Sequence, residues 1–130
     1  MNQFSPQASD LLELWNCMSM NMRSVILRAR YLHGKAIAEG CQPLLEQQLR
    51  RLRIRENYVE IGRQMREILA DDGVQKEYPE PEFGADGPIL GKYVDFRISE
   101  EAIPAIRLRL EALNERVLSL FISLCAIRLP

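Results

Sequence analysis

Enzymatic chemistry needs side chains that trade protons or attack as nucleophiles, held within reach of one another. The single histidine, His33, has Arg30 where the glutamate of a Glu-x-x-His metal motif would stand, and no second histidine to join it. A surface or core-edge imidazole is the expectation there. The three cysteines, Cys17, Cys41 and Cys125, cannot all pair and show neither C-x-x-C nor Cys/His ligand spacing. All lie in or beside helical stretches, where cysteine behaves as a small hydrophobe. Carboxylates are dense at Asp71, Asp72, Glu77, Glu80, Glu82 and Asp86, but lack the D-x-D-x-D-G order of a calcium loop. Gly84, Gly87 and Gly91 surround Pro88 and read as turns rather than as a phosphate cradle. The sequence therefore carries no catalytic, metal or cofactor constellation, and no enzyme is expected.

The sharpest charged feature is Arg50, Arg51, Arg53 and Arg55 in QLRRLRIREN. A guanidinium fork suits phosphate, so these four are the candidate nucleic-acid contacts. On a helix they are spread around the circumference, with Glu46 four residues before Arg50 and Glu56 and Glu60 close behind. Ion pairs within or between helices compete with phosphate for them. Only three lysines occur in the chain, which makes the general electrostatic footprint of a nucleic-acid binder thin.

What would position any of these groups is helical. Ile103, Ile106, Leu110, Leu113, Val117, Leu120, Leu124 and Ile127 recur every three or four residues, the seam of an amphipathic helix over about 99–129. Leu118, Phe121, Ile122 and Cys125 widen that seam until the helix is apolar almost all round, so something must enclose it. An equally regular seam, from Leu11 through Trp15, Met18, Met22, Val25, Ala29 and Leu32 to Ala36, predicts a helix over 7–39 closed by Gly40. Met20 lies off this seam, where exposure would make it notable. A further helix is expected over 43–70. Its apolar face changes sides between Leu52 and Val59, so a bend or break is expected near 57–62, or two halves serving different neighbours. Ser99 is the expected cap of the last helix, with Pro104 as a competing start.

Residues 71–98 form a long loop rich in proline and glycine, with seven acidic against three basic side chains over 71–97. Its acidic first half is expected to be exposed and its tip mobile. Residues 93–96 could extend along the helices. The fold expected is all-α: one domain over 1–130, an elongated antiparallel bundle of three long helices that dimerisation would complete.

With 130 residues, 47% apolar and 27% charged, the chain can bury an ordinary core, and its net charge of −1 excludes a wholesale basic coat. No apolar run is long enough to span a bilayer, and no secretory leader is seen, so a cytoplasmic location is expected. These features point to a non-enzymatic protein–protein interaction module: an adaptor, chaperone or regulator, first of all a homodimer. The surfaces expected to bind are Ile54, Tyr58, Ile61 and Met65 on one face and Leu118, Phe121, Ile122 and Cys125 on another.

Overall fold

The computed structural model describes the backbone of residues 6–71, 74–76, 83–84, 87–88 and 96–130, and side chains over 10–71 and 98–130. Helices carry the architecture, and the chain is all-α. Among the described residues there are four of them rather than three: α1 Pro6–Glu39, α2 Gln42–Arg51, α3 Ile54–Leu69 and α4 Ile103–Cys125. The first is long because its apolar seam is unbroken, and at about 1.5 Å per residue it runs about 50 Å. It stops at Gly40, whose φ of 67° is the left-handed conformation that a Cβ penalises. The Gly40 N–H donates to the Ile37 carbonyl (3.2 Å) and Cys41 N–H to that of Ala36 (2.9 Å), which satisfies two carbonyls the helix end would orphan.

The expected second helix is two. The break falls at Leu52–Arg53, earlier than the 57–62 stretch, which is continuous helix within α3. Arg53 adopts φ 54°, ψ 42°, the one left-handed non-glycine residue among those described. The reason lies in the displaced faces. A continuous helix could not turn Leu45 and Leu49 inward together with Ile54, Ile61, Met65, Ile68 and Leu69, whereas the kinked chain buries all seven. Asn57 Nδ2 donates to the Leu52 carbonyl at the break, which offsets part of the lost helical hydrogen bonding.

α4 is shorter than the expected 99–129 at both ends. Ser99 to Ala102 form a turn, with Ala102 N–H on the Ser99 carbonyl (2.9 Å), and no side chain caps the helix. Pro104 in the first turn marks the start, since the missing N–H of proline costs nothing there. At the other end Ile127 leaves the helix and remains buried. Between α3 and α4, β1 Val74–Lys76 pairs antiparallel with β4 Phe96–Ile98, and β2 Phe83–Gly84 with β3 Gly87–Pro88. Of the expected 93–96 extended segment only Phe96 lies within a described strand, and the expectation of a mobile tip lies outside the described residues.

The chain runs along α1, returns through α2 and α3, and runs again along α4. Arg109 at the start of α4 pairs with Asp71 beyond α3 (3.2 Å), and Gln48 of α2 donates to the Arg128 carbonyl beyond the end of α4 (3.3 Å). α4 is therefore parallel to α1 and antiparallel to α3. It packs along both, most extensively along α1. One core joins Trp15, Met18 and Met22 of α1, Ile61 and Met65 of α3, and Ile106, Leu110, Leu113 and Leu124 of α4. Every member of both sequence seams is buried in it, apart from Ala29, which is partly buried and packs against it.

Candidate partner-binding surface

The arginine cluster sits at the α2–α3 break, and carboxylates already meet much of its charge. Arg55 binds Glu46 through both guanidinium nitrogens (3.1 Å each), and Arg53 Nε reaches Glu56 (3.3 Å). The hydrogen bond from Arg55 holds the Glu46 carboxyl below its ordinary range and raises the Arg55 guanidinium. Arg50 Nε donates to the Glu46 carbonyl (3.4 Å), and Arg51 is exposed beside Leu44, Gln47 and Gln48. The four do not form one free cationic face. Further along α3, Arg63 bridges Glu60 and Glu67, and with Gln64 it pulls the Glu60 carboxyl down to about 2.

Of the residues expected to bind a partner, Ile54, Ile61 and Met65 lie in the protein's own core and Tyr58 packs partly buried against it. The large apolar residue of α3 that faces out is Val59, at 64% exposed. The second group is placed differently. Leu118 and Ile122 are exposed, at 40% and 65%, and Phe121 and Cys125 are half-buried beside them.

Which side of α4 this is follows from its contacts. Asn114 is hydrogen-bonded to Asn21 of α1 (3.3 Å), while Arg109 and the residues Arg116, Ser119 and Ser123 face α3. Ile122, Leu118 and Glu111 lie opposite the α3 side, on the outer slope toward α1. The Asn21–Asn114 bond also fixes the α1/α4 register, so Arg28, seven residues on, is level with Phe121. Arg28 lies over the Tyr31 ring (5.0 Å to its centroid), and its Nε is buried without a hydrogen-bond partner.

The sequence reading missed the α1 half of this surface, of which it flagged Met20 alone. Cys17, Met20, Ser24, Leu27, Tyr31, Gly34 and Ala38 recur at alternating three and four residues on the side away from the core. Met20, Leu27 and Tyr31 are 62%, 51% and 54% exposed. This second seam was visible as spacing, but the stronger Leu11–Ala36 seam masked it, and only burial shows which seam is outermost. Cys17 is exposed with it, contrary to the expectation of a buried hydrophobe.

A groove of about 410 Å³ runs between the α2–α3 break and α4, lined by Leu52, Asn57, Ile61, Arg116, Ser119 and Ser123 among others. Its titratable lining groups are Glu115 and Arg116, neighbours on α4. Among the described residues no cluster of three His, Cys, Asp or Glu side chains is placed to hold a metal, and no helix is long and apolar enough to cross a membrane. No protein-family model, no curated protein and no solved structure matches the chain.

Proposed function

We propose that this protein is a non-enzymatic interaction module, an elongated helical bundle that works by binding protein through the outer face of α1 and α4, and that its first partner is a second copy of itself. The observation that carries the reading is the exposure of Leu108, Leu118 and Ile122 on a helix whose opposite seam, Ile103 to Leu124, is buried. Large apolar side chains scattered singly need no explanation, but Met20, Leu27 and Tyr31 are exposed as well on the parallel neighbour α1, and apolar area gathered on one helix pair marks a contact surface. The four-arginine alternative, a nucleic-acid regulator, is weakened by the carboxylates on Arg53 and Arg55.

Light scattering over a concentration series tests the reading. The expected result is a mass above the 15.0 kDa of one chain, falling when Leu118 and Ile122 are changed to Asp. A wild-type monomer at every accessible concentration would remove self-association.

A further inference from the structure

From Met20 the outer seam of α1 runs through Ser24, Leu27, Tyr31 and Gly34 to Ala38, at alternating steps of four and three. When a helix pairs along such a seam, the positions bordering it face the partner's borders and choose the partner. On one side these are Asn21, Arg28 and Lys35, and on the other Arg23, Arg30 and Ile37. Four of the six are cationic and none is acidic. Among the described residues Arg23, Arg28 and Lys35 enter no ion pair. The buried Nε of Arg28 lacks an acceptor, which a carboxylate laid beside it would supply. Gly34 points the same way. Glycine inside a helix weakens it, yet a Cβ at Gly34 would meet nothing within 4 Å. The fold itself does not require this glycine, whereas the close approach of another backbone does.

We propose that the outer seam of α1 docks an α-helix of a different protein, one whose own apolar seam is bordered by glutamate or aspartate. This goes beyond the self-association read above, for which Leu108, Leu118 and Ile122 of α4 remain. A second α1 is selected against, because any register that lays the two seams over one another, parallel or antiparallel, sets bases against bases. The other described helices do not supply a row of acids either. Glu46 is bound by Arg55, Glu56 by Arg53, and Glu60 and Glu67 by Arg63. On α4, Glu111 and Glu115 are interspersed with Arg107, Arg109 and Arg116. A lipid surface suits the seam less, since Ser24, Gly34 and Ala38 are too small to insert among acyl chains. In the docked state bulky residues of the partner fill the space over Ser24 and Gly34. Its acids reach Arg28 and Lys35 on one side and Arg23 on the other. A helix about 10 Å wide over about 28 Å of α1 covers roughly 280 Å², a small contact. The affinity is therefore modest and screened by salt.

Two labelled helical peptides, each about three heptads long with leucine along the seam, test this by fluorescence anisotropy against the full chain. One carries glutamate at every bordering position and the other lysine. The glutamate peptide should bind at low salt, and the lysine peptide at least about tenfold more weakly. Arg23→Glu with Arg28→Glu and Lys35→Glu should reverse that preference, and the reversal itself shows the variant to be folded. Gly34→Leu, with open space around it in the free chain, should weaken the glutamate peptide about tenfold and leave the helical circular dichroism intact. Arg50→Glu with Arg51→Glu, two cations on α2, should change nothing. A glutamate peptide that does not bind overturns the proposal and leaves self-association standing. Equal binding of the two peptides does the same, as does an equal loss in the α2 variant. Wild-type protein that pellets with phosphatidylserine vesicles, and is released by the triple reversal, would place a lipid surface on α1 and overturn the proposal. A wild-type dimer that Gly34→Leu dissociates would place a second copy there and overturn it likewise. A monomeric wild type that still selects the glutamate peptide removes self-association and supports the docking site.

Discussion

Among the described residues two hold the left-handed conformation, and they make opposite predictions. Gly40 has φ 67° and nothing within 4 Å of where a Cβ would stand, so Gly40→Ala costs only backbone strain, about 1 kcal/mol. Arg53 carries that strain already, and its bond to Glu56 is exposed and worth little. Arg53→Gly should therefore raise stability by about 0.5 kcal/mol, whereas β-branched Arg53→Ile should lower it by about 1 kcal/mol. Urea denaturation midpoints read all three, and a less stable Arg53→Gly would show that the kink needs the arginine. At Glu60 the effect is on titration. Its carboxyl is held at about 2 by Arg63, so its contribution to stability is complete above the ordinary value of 4.5 and is lost as pH falls through about 2. NMR of the Glu60 carboxyl should show a midpoint near 2 that returns toward 4.5 in Arg63→Gln. An unmoved midpoint would mean another group holds it.

At the scale of elements, the kink at Leu52–Arg53 sets the rotation of α3 and so decides which of its apolar residues count. Met65 is fully buried and Val59 is 64% exposed, although both are apolar residues of one helix. Met65→Ala should cost about 3 kcal/mol through lost transfer energy and the cavity left behind. Val59→Ala should change stability by less than about 0.5 kcal/mol. Equal costs would mean α3 is rotated from its place here. Much at this scale was legible in the sequence. The Leu11–Ala36 and Ile103–Ile127 seams gave α1 and the core face of α4, because a 3.6-residue period leaves a long record. The change of face in residues 43–70 revealed that something interrupts the second helix. It did not say where, since a left-handed arginine leaves no compositional trace such as glycine does. The binding assignment to Ile54, Tyr58, Ile61 and Met65 failed to foresee the same kink, which turns them inward.

For the whole molecule, what matters is how the α1–α4 pair meets solvent. The dimer proposed above would gain stability by mass action, so the thermal midpoint should rise with protein concentration. Differential scanning calorimetry over a hundredfold range of concentration should detect this. A midpoint independent of concentration would argue for a self-sufficient monomer. The same scale explains why composition said little about function. A net charge of −1 conceals a stretch of α1, residues 14–38, that carries four bases and no acid.

The sequence by itself determined the helical class, the long α1, its end at Gly40 and the residues of α1 and α4 that form the core. Each of these is a local property, set by apolar period and by the φ that glycine alone adopts freely. Tertiary structure decided the break at Arg53, the inward turn of α3 and the parallel setting of α1 beside α4. It also decided which of the two α1 seams faces out. Those depend on how separate helices share one core, and a helix's own spacing cannot say which of its faces a neighbour will cover.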